Sequence, residues 1–101
     1  MQVNMNKVLV DMLDREIKGE EGVPITLRLV SMNALCLAFE DERNLGGEEK
    51  LKRWELALRI KNNPESVQVT AEELALIKKV VAKAYAPLVS GQAWKLLEET
   101  K

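Results

Sequence analysis

Histidine is absent from the 101 residues, and cysteine occurs once, at Cys36. Without an imidazole there is no His-activated nucleophile, no His general base and no His-ligated metal. A single cysteine forms no intrachain disulfide and no multi-cysteine zinc site, and it fits a reducing compartment. Cys36 itself reads as a small buried hydrophobe. Aromatics make up only 4% of the chain. Charge of one sign is not in excess either: 15 Lys and Arg against 16 Asp and Glu give a net −1. That balance lacks the electrostatic footprint of a dedicated nucleic-acid or anionic-membrane binder. The uncharged run 29–39 is well short of the roughly 18 residues a membrane-spanning helix needs. The apolar run 8–10 is cut by Asp11 before a signal-peptide core forms. The expectation is a soluble protein of the cytoplasm.

What is present is a chain 47% hydrophobic and 31% charged, the composition of one globular domain over 1–101. Residues 1–22 form an N-terminal hairpin, or a helix and loop, ahead of a helical core over 23–101. Residues 7–18 fit two patterns. Val8, Val10 and Met12 alternate like a strand, whereas Leu9, Leu13 and Ile17 repeat at four like a helix. Thr26 is placed to cap a helix running to about residue 39, apolar on every side and therefore central to the core. An acidic loop over 40–47 leads to a helix over 48–61. On it Leu51, Trp54, Ala57 and Leu58 share one face, and Leu56 and Ile60 lie nearly opposite.

Residues 66–69 alternate like a short edge strand. Thr70 with Glu73 makes a capping box for a helix over 71–86. Pro87 ends that helix and starts another to about residue 99. Gly91 inside it suggests a close helix–helix approach. Two extended stretches, each feeding a capping threonine (25–26 and 69–70), are candidates to pair as a ribbon. The fold expected is mainly α: a compact four-helix domain with room for a short N-terminal β-hairpin or ribbon.

Motifs for chemistry are sparse. Ser90 and Gly91 give half of a nucleophile elbow, but Leu88 stands where its first glycine belongs. The stretch from Asp41 has Gly46 at the sixth position of a calcium loop. Arg43, Leu45 and Lys52 occupy positions that need oxygen ligands. No Gly-Lys-Ser/Thr phosphate loop occurs. The expectation is no enzyme, no metal and no cofactor. Lys78, Lys79 and Lys83 are the cations a DNA-binding regulator would use, although Lys95 is the only cation between 87 and 100. A protein contact or self-association fits better. One core covers one side of the helix over 48–61, which leaves Leu56 and Ile60 either exposed between Arg53 and Arg59 or covered by the N-terminal segment. Trp94 is the candidate aromatic anchor, since Trp is enriched in binding hot spots. The candidate interface is therefore Arg53, Leu56, Arg59, Ile60 and Trp94.

Four strings carry a resemblance: Gly47-Glu48-Glu49-Lys50; Arg53-Trp54-Glu55-Leu56-Ala57; Thr70 to Lys79 (TAEELALIKK); and Lys83 to Trp94 (KAYAPLVSGQAW). Together, over about residues 20–98, the chain resembles small, mostly uncharacterised proteins of tailed bacteriophages and prophages. The resemblance implies an origin, and a host-cell cytoplasmic setting, but no site. It also implies a strand–turn–strand at the N-terminus. Virion assembly, an accessory role and host-factor modulation are the functions consistent with it.

Overall fold

Two threonines start two of the helices that build the core. In the computed structural model, which describes residues 1–99, Thr26 Oγ1 accepts from the Leu29 amide at 3.2 Å and opens α1, Leu27–Cys36. Thr70 Oγ1 accepts from the Glu73 amide at 3.1 Å, while Glu73 accepts from the Thr70 amide at 2.9 Å. This reciprocal capping box opens α3, Ala71–Ala84. Between them lies α2, Gly47–Asn62, and Pro87 sits in the first turn of α4, Pro87–Glu98. The expected four-helix domain is what the chain forms. The last two positions of the expected 1–101 span lie outside the described residues.

α1 packs on both α2 and α3, and α4 packs on α3. Leu27, Val30, Leu56, Ile60, Ile77, Val80, Val81 and Leu97 fill the space between them. The Cα radius of gyration, 13.2 Å, matches the ~13 Å of a compact 100-residue domain. β1, Gln2–Val3, pairs antiparallel with β2, Val67–Gln68. Stretch 25–26 therefore does not pair with 69–70 as expected. Thr26 bridges Val8 instead, and Val3 takes the place beside Val67.

Residues 7–18 form the hairpin rather than the helix, and the hairpin is part of a closed triangle. The Leu9 amide donates to Ile25 O (2.9 Å), Ile25 to Ile17 O (2.8 Å) and Ile17 back to Leu9 O (3.0 Å). The three residues are eight apart and all point apolar side chains at the core. Asp14 supplies the first turn in place of glycine, at φ 62°, and Gly22 supplies the second at φ 74°. Gln92 ties the triangle to α4. Its side-chain oxygen accepts from Val10 N (2.9 Å) and its amide donates to Val10 O (2.7 Å).

Three expectations are corrected. α1 stops at Cys36, three residues early, and is not apolar all round to solvent's exclusion: Leu29, Asn33, Cys36 and Leu37 are exposed. The chain leaves the helix there so that Phe39 and the acidic residues after it reach α2 and α3. Gly91 marks no close approach, because a Cβ built on it meets nothing within 4 Å. The third concerns α2, whose faces are reversed. Leu56 (2% exposed) and Ile60 (0%) are core, whereas Leu51 (51%) and Trp54 (55%) face outward. Ala57 is the one member of the expected inner face that is buried, and Leu58 is intermediate. The inward stripe is Arg53, Leu56, Ala57 and Ile60, a regular helical spacing once a charged residue is admitted to it.

Candidate functional site

The early end of α1 creates the site. After Cys36 the backbone runs extended through Leu37 and Phe39 and enters a 3-10 turn at Glu40–Glu42. Beside it passes the first half of α2. Between the two lies a groove of about 560 Å³, within the ~300–1,000 Å³ range of ligand pockets. Its lining is mostly apolar: Leu35, Leu37, Phe39, Leu45 and Trp54 form the walls. Arg43, Lys50 and Glu40 also line it, all exposed, and among the described residues none of the three forms an ion pair.

A cluster of charges holds that wall in place. Arg53, only 4% exposed, donates through Nη1 and Nη2 to the two oxygens of Glu42, both at 2.8 Å. Lys83 reaches Asp41 Oδ2 at 2.9 Å and Glu42 Oε2 at 3.3 Å, and Lys79 stands 3.7 Å from Glu42. The Arg53 guanidinium holds the Glu42 carboxyl down at about 2, with Lys83 adding to the effect against the cost of burial. Its partners keep their charge equally firmly: the Glu42 bond raises Arg53, and the Asp41 bond raises Lys83. Lys83 also sits 5.4 Å over the Phe39 ring. A bidentate, nearly buried Arg–carboxylate pair fixes geometry as well as charge. The turn at Glu40–Glu42 is thereby clamped to α2 and α3, and the groove is a preformed surface. Chemically it offers apolar contact and two exposed cations. The clamped Glu42, ionised down to about 2, is a poor proton acceptor at neutral pH.

Of the five residues expected at an interface, the structure buries Leu56 and Ile60, places Arg53 at the base of the groove and leaves Arg59 and Trp94 partly exposed away from it. Leu56 and Ile60 are core, and Arg53 is the centre of the clamp. Arg59 donates to Gln68 O and to Glu73 Oε1, both at 2.9 Å, which joins α2 to β2 and to the capping box of α3. That bond and the Thr70 amide outweigh burial and hold the Glu73 carboxyl below its usual value. The Trp94 indole N–H donates to Lys78 O at 2.9 Å, with the Lys78 ammonium 5.3 Å over its ring. Trp94 is a strut between α3 and α4. The three lysines of the DNA-binding alternative are all engaged: Lys78 with Glu98, Lys79 with Glu42, and Lys83 with Asp41 and Glu42.

The apolar residues that face solvent include Trp54 and Leu37 in the groove, Leu51 one helical turn from Trp54, and Met12, Leu13 and Val23 far from it in sequence. Sequence periodicity had Trp54 and Leu51 on the wrong side, and no pattern marks Leu37. Admitting Arg53 to the inner stripe is the step that would have turned the helix over. No protein-family model, curated protein or solved structure matches this chain. No helix among the described residues is long and apolar enough to cross a membrane.

Proposed function

We propose that this is a non-enzymatic interaction protein that works by protein–protein contact through the groove between residues 35–45 and the first half of α2. The observation that carries the reading is Trp54. A tryptophan 55% exposed on a helix, beside half-exposed Leu37 and Leu51, is the kind of anchor binding surfaces use. The clamp of Arg53 on Glu42 supports it, since a wall held rigid before binding loses little entropy on binding. A phage-type role in virion assembly, in an accessory function or in modulation of a host factor fits a small adaptor of this kind. The DNA-binding alternative is disfavoured by the engagement of Lys78, Lys79 and Lys83 with carboxylates.

Panning a random peptide display library on the folded protein tests the reading. The expected result is a set of peptides sharing spaced apolar residues that bind the wild type and lose binding to Leu37→Glu. If no sequence is enriched, or if enriched peptides bind Leu37→Glu equally, the groove is not a protein-docking surface.

A further inference from the structure

The most exposed apolar side chains of the chain are not at the groove but on a turn. Met12 is 85% exposed and Leu13 70%. Turn tips favour Gly, Asn, Asp and Ser, so two large apolar residues at one tip have no local reason to be there. The tip is also stiff. Asp11 Oδ1 accepts from the Leu13 amide at 2.8 Å and from the Arg15 amide at 3.1 Å, Asp11 Oδ2 accepts from Arg15 Nε, and the Asp14 amide closes on Asp11 O at 3.1 Å. The backbone bonds from Arg15 and Leu13 hold the Asp11 carboxyl below its usual value. The closed triangle of Leu9, Ile17 and Ile25 anchors its base. Met12 and Leu13 are thus presented outward on a rigid mount.

We infer that the Met12 and Leu13 tip of one molecule docks into the Trp54 groove of a second copy of this chain. The inference deepens the proposed function and rests on the groove being a docking surface. Charge favours the match. The tip carries the exposed acids Asp14 and Glu16, neither of them ion-paired among the described residues, while Asp11 and Arg15 neutralise each other. The groove offers exposed Arg43 and Lys50 against the exposed acid Glu40, its other acid, Glu42, being paired with Arg53. Two acids and two apolar side chains thus meet two cations and an apolar cleft. About 560 Å³ gives room for two unbranched or singly branched side chains. Tip and groove are different surfaces, so the contact is head-to-tail, and an open chain of copies keeps one tip and one groove free at its ends. Such contacts close into rings or extend into filaments.

Sedimentation velocity over a concentration series tests this with three proteins: the wild type, a Met12→Glu, Leu13→Glu tip variant and a Leu37→Glu groove variant. The wild type is expected to grow in mass with concentration beyond a dimer. Each variant alone is expected to stay monomeric with an unchanged circular dichroism spectrum. Mixed together they are expected to form a dimer and nothing larger, since only one intact tip and one intact groove remain between them. An Arg43→Glu, Lys50→Glu variant, altered only at exposed charges, should lose assembly in the same way and covers any misfolding of Leu37→Glu. A wild type that remains monomeric, variants that assemble like it, or a mixture that stays monomeric overturns the inference. If the wild type is monomeric yet groove-dependent peptides are recovered by panning, the docking surface stands and the second copy is not its occupant. If neither assembly nor peptides appear, both readings fall.

Discussion

Along α2, the face that carries Leu56 and Ile60 and the face that carries Leu51 and Trp54 bear similar side chains and meet opposite environments. Leu56, Ala57 and Ile60 close against α1 in the core, while Leu51 and Trp54 stand half in water one or two turns earlier. What separates them is the clamp between. Arg53 lies on the inner stripe, and its guanidinium needs the Glu42 carboxylate to be tolerated there. Glu42 reaches Arg53 from the turn that follows the end of α1, and Trp54, the next residue along α2, lines the open groove on the other side. The inward face is left packed, and the outward face is left beside the groove. One buried ion pair thus lies where the structural face and the contact face of a single helix meet.

Four measurements sharpen or break this division. The largest effect is expected from Ile60→Ala, which empties a fully buried site and should cost about 2–5 kcal/mol in urea unfolding. A cost below about 0.5 kcal/mol would make the two faces equivalent. Arg53→Ala should come next, at about 2–3 kcal/mol. That is under the usual ~3–5 for breaking a buried pair, because Lys83 and Lys79 remain beside Glu42. It should also loosen residues 37–42, seen as faster amide exchange there than in α3.

The third is acid. Glu42 titrates at about 2 when folded and at about 4.5 when free, so the unfolded chain takes up its proton first. The stability it contributes is complete above about 4.5 and is lost as the pH falls toward 2. Thermal melts in that window should show a steeper decline for wild type than for Glu42→Gln. The smallest effect is expected from Leu51→Ala on the outward face, within about 0.5 kcal/mol. A large loss there would put that face in the core.

The same division explains what the sequence revealed. Local signals were read correctly: Thr26 and Thr70 open α1 and α3, and Pro87 opens α4, because caps and prolines act within a few residues. Long-range decisions were not. The inner face of α2 depends on a partner for Arg53 that lies eleven residues away, and a charged residue is by default assigned outward. The end of α1 carries no glycine or proline, since the pull of Glu42 and Phe39 toward α2 and α3 stops it, not a local cap. The triangle of Leu9, Ile17 and Ile25 has equal spacing but no repeated sequence, so only its hydrogen bonds reveal it. The candidate site was half legible for the same reason. Trp54 stands out in the sequence as one of two tryptophans, but the direction it faces depends on Arg53.

The account stands most directly on whether Trp54 is open in the monomer and covered on docking. In a Trp94→Phe variant Trp54 is the only tryptophan, and its acrylamide quenching can be followed from dilute to concentrated solution. The account predicts strong quenching in the dilute monomer that falls as concentration rises, with no such fall when the Met12→Glu and Leu13→Glu changes are added. Weak quenching in the dilute monomer, or quenching that is the same at every concentration, would contradict it.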